Sequence, residues 1–109
     1  MTNCVFCKIA KKELPSDIIY EDGKIVAFKD IHPRAPLHYL IIPKNHLNSM
    51  ASNNSEEVAK DLLIIAKRIA VQQGLGSYKL VFNVGPEAGQ TVPHLHLHLL
   101  SGGGSELKI

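Results

Sequence analysis

This chain lacks several features that would have named its class at once. Its 12 Lys and Arg against 10 Asp and Glu leave a formal net charge of +2, too small an excess to argue for nucleic acid or an anionic membrane as partner. No apolar run reaches the roughly 20 residues of a membrane span; the longest candidate, "DLLIIAKRIAV", is broken by Lys67 and Arg68. The opening "MTNCVFCKIAKKE" has no long apolar stretch behind a basic start, so no secretory signal is expected and the protein is expected to stay in the cytoplasm. There its two cysteines would be reduced thiols and not a disulfide. No internal repeat and no interdomain linker is visible. The 109 residues are expected to form one domain, residues 1–109, with a modest core of the kind often enlarged by dimerisation.

What is present alternates between strand-like and helical patterning. A short amphipathic piece over residues 6–11 ends at "ELPSD". "IIYE" and "KIVAFKD" read as strands joined at Asp22-Gly23, with glycine supplying the positive φ of a two-residue hairpin. "IHPRAP", with two prolines, is irregular, and "LHYLIIP" is a third, mostly buried strand. Over residues 55–73 the period becomes helical, with Val58, Leu62, Ile65 and Ile69 on one stripe. Asn54 or Ser55 can cap that helix and Gly74 can stop it. "SYKLVFNVG" reads as a fourth strand, "PEAGQT" as a loop, and "VPHLHLHLLS" as a fifth strand. The fold class expected is α+β: a five-stranded antiparallel sheet with one long helix over Leu95, Leu97 and Leu99, and a short N-terminal helix.

"PHLHLHLL", residues 93–100, is the chemical centre of the sequence. Side chains on a strand alternate faces, so His94, His96 and His98 share one face. Histidine is not a favoured strand residue, so three in register imply function. One reading is a metal site, since histidines at i and i+2 can share a zinc ion. The other follows from "GPEAGQT" just before: a glycine-bearing turn can aim N–H groups at an anion, and a neutral imidazole beside it is a nucleophile for phosphorus.

These residues, with "CVFCKI", "AFKDIHPRAPLHYLIIPKNH" and "FNVGPEAGQTVPHLHLHLL" in that order, resemble the histidine triad (HIT) superfamily, and within it the Hint branch of nucleoside phosphoramidate hydrolases. The resemblance runs to about Ser101. It implies that His96 is the nucleophile, forming a nucleotidyl-histidine that water then cleaves, with His98 and His38 supporting charge and proton delivery. It implies that Gly89, Gln90 and Thr91 hold the phosphate, that Asn83 lies near ribose and phosphate, and that Asp30 accepts bonds from the ribose hydroxyls. Val5, Phe6, Ile9, Phe28 and Ile31 match an apolar slot for a purine; each taken singly would pass for a core residue. It further implies a homodimer built from residues 78–84 and the long helix, and no organic cofactor.

In some bacterial relatives a Cys-x-x-Cys pair joins the first triad histidine and one further histidine around zinc. Cys4, Cys7, His46 and His94 occupy those positions here. Cys-x-x-Cys alone is half a zinc site and could equally be redox-active. His32 falls at no motif position and is expected at the surface. Two departures stand out. Lys29 sits near the base where relatives often carry histidine. The tail "GGGSELKI" lacks the Trp-Pro-Pro ending that shapes the leaving-group side in the family, and the chain has no tryptophan. Two other functions fit the same motifs: a dinucleoside polyphosphate hydrolase, and a zinc-stabilised nucleotide-binding regulatory module.

Overall fold

The computed structural model describes residues 4–103. Along the chain run α1 (Val5–Ala10), β1 (Ile18–Glu21), β2 (Ile25–Lys29), β3 (Leu37–Pro43), α2 (Ser55–Gln72), β4 (Lys79–Val81), a 3-10 turn (Pro86–Ala88) and β5 (Leu97–Ser101). The strands form one sheet in the order β1-β2-β3-β5-β4, antiparallel at every junction. This is the α+β class that the patterning implied.

The two faces of the sheet bury different things. On one, Leu95, Leu97 and Leu99 pack with Ile41 beneath Leu62, Ile65, Ala66 and Ile69 of α2. Each such side chain contributes about 1.5–3 kcal/mol through removal from water. Val58, the first residue of the expected stripe, is only partly buried against this cluster. On the other face, Phe6, Cys7 and Ile9 of α1 pack with Val26, Phe28, Leu40 and Ile42. The triad histidines lie on this second face, next to α1.

Local chemistry departs from expectation in four places. The β1–β2 hairpin forms, but Gly23 is not in the positive-φ region; the Asp22 carboxylate makes the turn instead, accepting N–H bonds from Lys24 at 2.7 Å and Ile25 at 2.8 Å. Neither Asn54 nor Ser55 caps α2 through its side chain. Asn54 sits at φ 62 with no cap bond, and the Ser55 hydroxyl donates to the Met50 carbonyl at 2.7 Å. The fourth strand is cut to three residues, Lys79–Val81. The fifth begins only at Leu97, because the chain before it pairs elsewhere: the Leu95 N–H donates to the Leu47 carbonyl at 2.6 Å. The stretch carrying His94 and His96 is thus held by the Leu95 bond to the β3–α2 connection, by the His94 ring on the Pro43 carbonyl and by the His96 ring on the His94 carbonyl rather than by the ladder.

After β5, Gly102 adopts φ +88, and a Cβ there would stand 2.8 Å from Pro36. Glycine alone fits this close passage over the loop between β2 and β3. Of the tail, residues 104–109 lie outside the described residues, and with them most of the departure from the Trp-Pro-Pro ending.

Candidate functional site

Beside the histidine row lies a cavity of about 480 Å3, within the usual range for a small-molecule site. Its apolar wall comes from Val5, Phe6, Ile9, Phe28 and Ile31, the five residues expected there, joined by Leu14, Pro15, Leu40 and Val92. Its polar wall carries Asp30, Gly89, Thr91, His96 and His98 of the sequence-derived site residues, and also Ser16, Lys29, His32 and Arg34. Ile31 is 82% exposed, an apolar side chain with nothing but the open cavity to cover it. Phe6 anchors the wall, edge-on to His96 at 5.2 Å and to Phe28 at 5.5 Å between ring centroids.

Each histidine tautomer follows from its partners. His96 places Nδ1 2.7 Å from the carbonyl oxygen of His94. A carbonyl only accepts, so Nδ1 carries the hydrogen and the Nε2 lone pair is left for the cavity. The Arg34 backbone N–H donates to His38 Nδ1 at 3.1 Å, which puts the His38 hydrogen on Nε2. That hydrogen reaches His98 Nδ1 at 2.9 Å, so His98 carries its own hydrogen on Nε2. One ring therefore presents a lone pair and its neighbour an N–H, with ring centroids 4.9 Å apart. Burial pushes all three rings below the ordinary histidine range. His98 is lowered furthest, to about 4, first by burial and then by the positive charge its neighbours His96 and His38 would carry. Asp30 holds the loop: one carboxylate oxygen accepts the His32 N–H at 2.8 Å, and the other lies 3.5 Å from His38 Nε2.

The glycine-bearing loop is built differently from expectation. The Gln90 side-chain amide is fully engaged in the protein. It donates to the Asn48 and Val92 carbonyls at 2.6 and 3.0 Å and accepts the Gly85 N–H at 2.8 Å. Asn83 donates to the Ala88 carbonyl at 2.9 Å. Neither residue lines the cavity; both shape the loop that does. The Gly89 N–H is bonded to the Pro86 carbonyl, while φ +96 fits only glycine comfortably there. Among the described residues, nothing pairs the hydroxyl of Thr91.

A second cluster adjoins the first. Cys4, Cys7, His46 and His94 bring four ligand atoms within 4.8 Å of one another. His94 Nδ1 lies 3.2 Å from Cys4 Sγ and 3.5 Å from Cys7 Sγ, and His46 Nδ1 lies 3.3 Å from Cys7 Sγ. A tetrahedral zinc with bonds of ~2.3 Å to sulfur and ~2.0–2.1 Å to nitrogen holds such ligands about 3.6 Å apart. Both rings are oriented from behind: His94 Nε2 donates to the Pro43 carbonyl at 2.9 Å and His46 Nε2 to Asn48 Oδ1 at 2.8 Å. That leaves both Nδ1 lone pairs aimed at the thiols, the outer-shell pattern of a metal-binding histidine. The set is compatible with zinc.

These features agree with the relatives. The HIT domain pattern matches residues 11–104. Protein HitA of Neisseria gonorrhoeae is 46% identical over 103 residues, covering 92% of this chain and 96% of that one. The 14 kDa zinc-binding protein of Zea mays is 48% identical over 103 residues, 90% of this chain and 80% of its own length. A HIT family hydrolase from Clostridium thermocellum superposes with a TM-score of 0.91 at 48% identity, covering 100% of this chain and 98% of that chain. The chain belongs to the HIT domain family. The matched span starts after Cys4, Val5, Phe6, Cys7 and Ile9, so α1, with half of the possible metal ligands, stands outside it.

Sequence reasoning missed Arg34, Leu14, Pro15, Ser16, Leu40 and Val92 in the cavity, and put His32 at the surface with no role. His32 is indeed exposed, but on the cavity wall. The spacing between Asp30 and His38 offered one signal, because a loop joining two site residues tends to line the site. The carbonyls of Pro43 and His94 gave none.

Proposed function

We propose that the protein hydrolyses purine nucleoside 5′-phosphoramidates through a nucleotidyl-histidine, as a Hint-type member of its family. The carrying observation is the His96 Nδ1 bond to the His94 carbonyl at 2.7 Å, which leaves an unprotonated Nε2 facing a cavity with an apolar slot. The base lies against Phe6, Phe28, Val5, Ile9 and Ile31, and Asp30 accepts from the ribose hydroxyls.

His96 Nε2 attacks the α-phosphorus, and the P–N bond breaks with its electron pair going to nitrogen. The departing nitrogen takes the Nε2 proton of a cationic His98; in that form Nδ1 also carries hydrogen and the His38 bond of the neutral state is given up, a cost that the negative charge of the substrate phosphate offsets. His98 then stands neutral. Water attacks the nucleotidyl-histidine and gives its proton to His98, releasing the monophosphate and restoring both rings. His38 fixes the neutral His98 ring through the 2.9 Å bond. Thr91 supplies donors to the phosphoryl oxygens, in a loop held in shape by Gln90 and Asn83.

Cys4, Cys7, His46 and His94 would hold a structural zinc ion. Bound there, it supplies a cross-link between α1, the β3–α2 connection and the segment before β5, which a small domain gains from. A homodimer fits the edge position of β4 and the exposed apolar side chains that flank β4 in sequence, Tyr78 and Val84, or lie on α2, Leu63, Ile64 and Val71. Light scattering at micromolar concentration should give twice the chain mass; a monomer refutes the dimer.

Turnover of adenosine 5′-phosphoramidate tests the activity. Release of AMP and ammonia is expected. Tight AMP binding without turnover would favour a binding module, and faster cleavage of diadenosine polyphosphates would favour the other hydrolase.

A further inference from the structure

The guanidinium of Arg34 stands on the cavity wall and takes no part in the proposed reaction. Among the described residues, no carboxylate lies within salt-bridge distance of it. The other flexible cation of the cavity wall, Lys29, is 3.5 Å from Asp17. The Arg34 backbone is fixed, between Pro33 and Pro36, by its bond to His38 Nδ1 at 3.1 Å. Arg34 lines the cavity together with His98 and Asp30. Arg34 bonds His38 through its backbone, and His38 in turn bonds His98 at 2.9 Å, so Arg34 belongs to the His98 end of the row. Its positive charge opposes protonation of both rings. In the proposed reaction His98 gives its proton to the leaving nitrogen, so that nitrogen departs at this end of the row.

We infer that Arg34 selects substrates whose leaving group carries an anion, a carboxylate or a phosphate. This rests on the phosphoramidate reading. An unpaired guanidinium at the rim presents a rigid fork of N–H donors, and charge-assisted bonds from such a fork to a carboxylate or phosphate are stronger than neutral ones. An amine leaving group that carries an acid function, such as an amino acid joined through its nitrogen, would reach this fork while its nitrogen faces His98. An uncharged amine of the same size would leave the guanidinium unused.

The test compares three adenosine 5′-phosphoramidates, made from alanine, from alanine methyl ester and from phosphoethanolamine. In the native protein kcat/KM should favour each anionic compound over the ester by roughly 5–20-fold, with the preference shrinking as salt rises. In Arg34→Gln the ratios should fall to near one, and in Arg34→Glu below one. Whichever anion loses more in Arg34→Gln is the one the site was reading. A merely structural Arg34 would slow all three compounds together and leave the ratios unchanged; that result overturns the inference, as does a native ratio of one. If the native protein cleaves none of the three, the hydrolase reading fails separately. Calorimetric binding of the same compounds then decides the inference: tighter binding of the anions, lost in Arg34→Gln, sustains it, and equal binding ends it.

Discussion

His94 and His98 stand four residues apart on one segment and are almost equally buried, at 0% and 7% exposure. Burial lowers each to about 4, so both are neutral near pH 7. What separates them is which nitrogen the surroundings occupy. His94 gives its Nε2–H to the Pro43 carbonyl and turns Nδ1 to two thiols. His98 has Nδ1 filled by His38 and turns Nε2 to the cavity. One end of the row is closed, every polar atom engaged within the protein; the other is left open for a ligand. A residue type in a motif therefore fixes little until its partners are known. His96 lies between, tied to the closed end by the His94 carbonyl and facing the open end with its lone pair.

The sharpest way to test this division is to remove the middle ring. His96→Ala should lower kcat on adenosine phosphoramidate by roughly a thousandfold or more, the scale expected when a covalent nucleophile is lost. AMP should still bind, because Phe6, Phe28 and Asp30 remain. Near-normal turnover in this variant would end the nucleotidyl-histidine proposal.

The closed end can be broken on its own. Cys4→Ser should reduce bound zinc from about one ion per chain towards zero, in protein prepared without chelator and measured by elemental analysis. It should also lower Tm, because the link between α1 and the segment before β5 is lost. Through His94 the loss should extend to kcat, whereas His98→Asn should leave the zinc content unaltered. A metal-free native protein whose Tm is indifferent to Cys4→Ser would refute the site.

How far the sequence foretold these two ends follows from what each depends on. The period-two leucines, the stripe of Leu62, Ile65 and Ile69 and the run "LHYLIIP" express burial, a property of side chains that the order of residues records directly. The five apolar residues of the slot and the Cys-x-x-Cys pair came from the family resemblance and not from any local pattern, since each taken singly reads as core or as half a site. The tautomers were not, since they rest on the carbonyls of Pro43 and His94, and any residue could supply a carbonyl there. The role of Gln90 was misplaced for a related reason. Its type promised donors for a phosphate, but the fold brings the Asn48 carbonyl, 42 positions away, to within 2.6 Å and uses them up. The β1–β2 turn shows the same limit locally: Asp22-Gly23 announced a hairpin, and the aspartate rather than the glycine makes it.

The open end should also reveal itself in acid. An unfolded histidine titrates near its ordinary value of about 6.5, and His98 in the folded protein at about 4. Between these values the unfolded chain binds more protons, so stability is full above about pH 6.5 and falls as pH drops towards 4. His98→Asn removes one such group and should make Tm fall less steeply across that window. Parallel Tm curves for the two proteins would show that His98 does not enter the acid response. His94 behaves in the same sense, but its thiol neighbours make the His98 comparison the cleaner one.

The smallest effect expected separates two neighbours, Gln90 and Thr91, that divide as His94 and His98 do. Gln90 is buried with its amide saturated by three bonds; Thr91 is exposed on the cavity wall. Gln90→Ala should cost stability first, because two carbonyls and one N–H lose their partners, and activity only as the loop loosens. Thr91→Ala breaks no bond within the described protein, so its Tm should stay within about 1 °C of native, as for a surface change that touches nothing structural. Its cost should fall on the transition state instead, about 1–3 kcal/mol, or roughly 5–150-fold in kcat/KM. The effect is limited because the Thr91 backbone N–H, a second donor of the same residue, survives the substitution. Measuring Tm and kcat/KM for both variants decides the matter. If Thr91→Ala lost stability while keeping its catalytic efficiency, its hydroxyl would be a structural group like the Gln90 amide, and the phosphate contact would have to come from elsewhere on the loop.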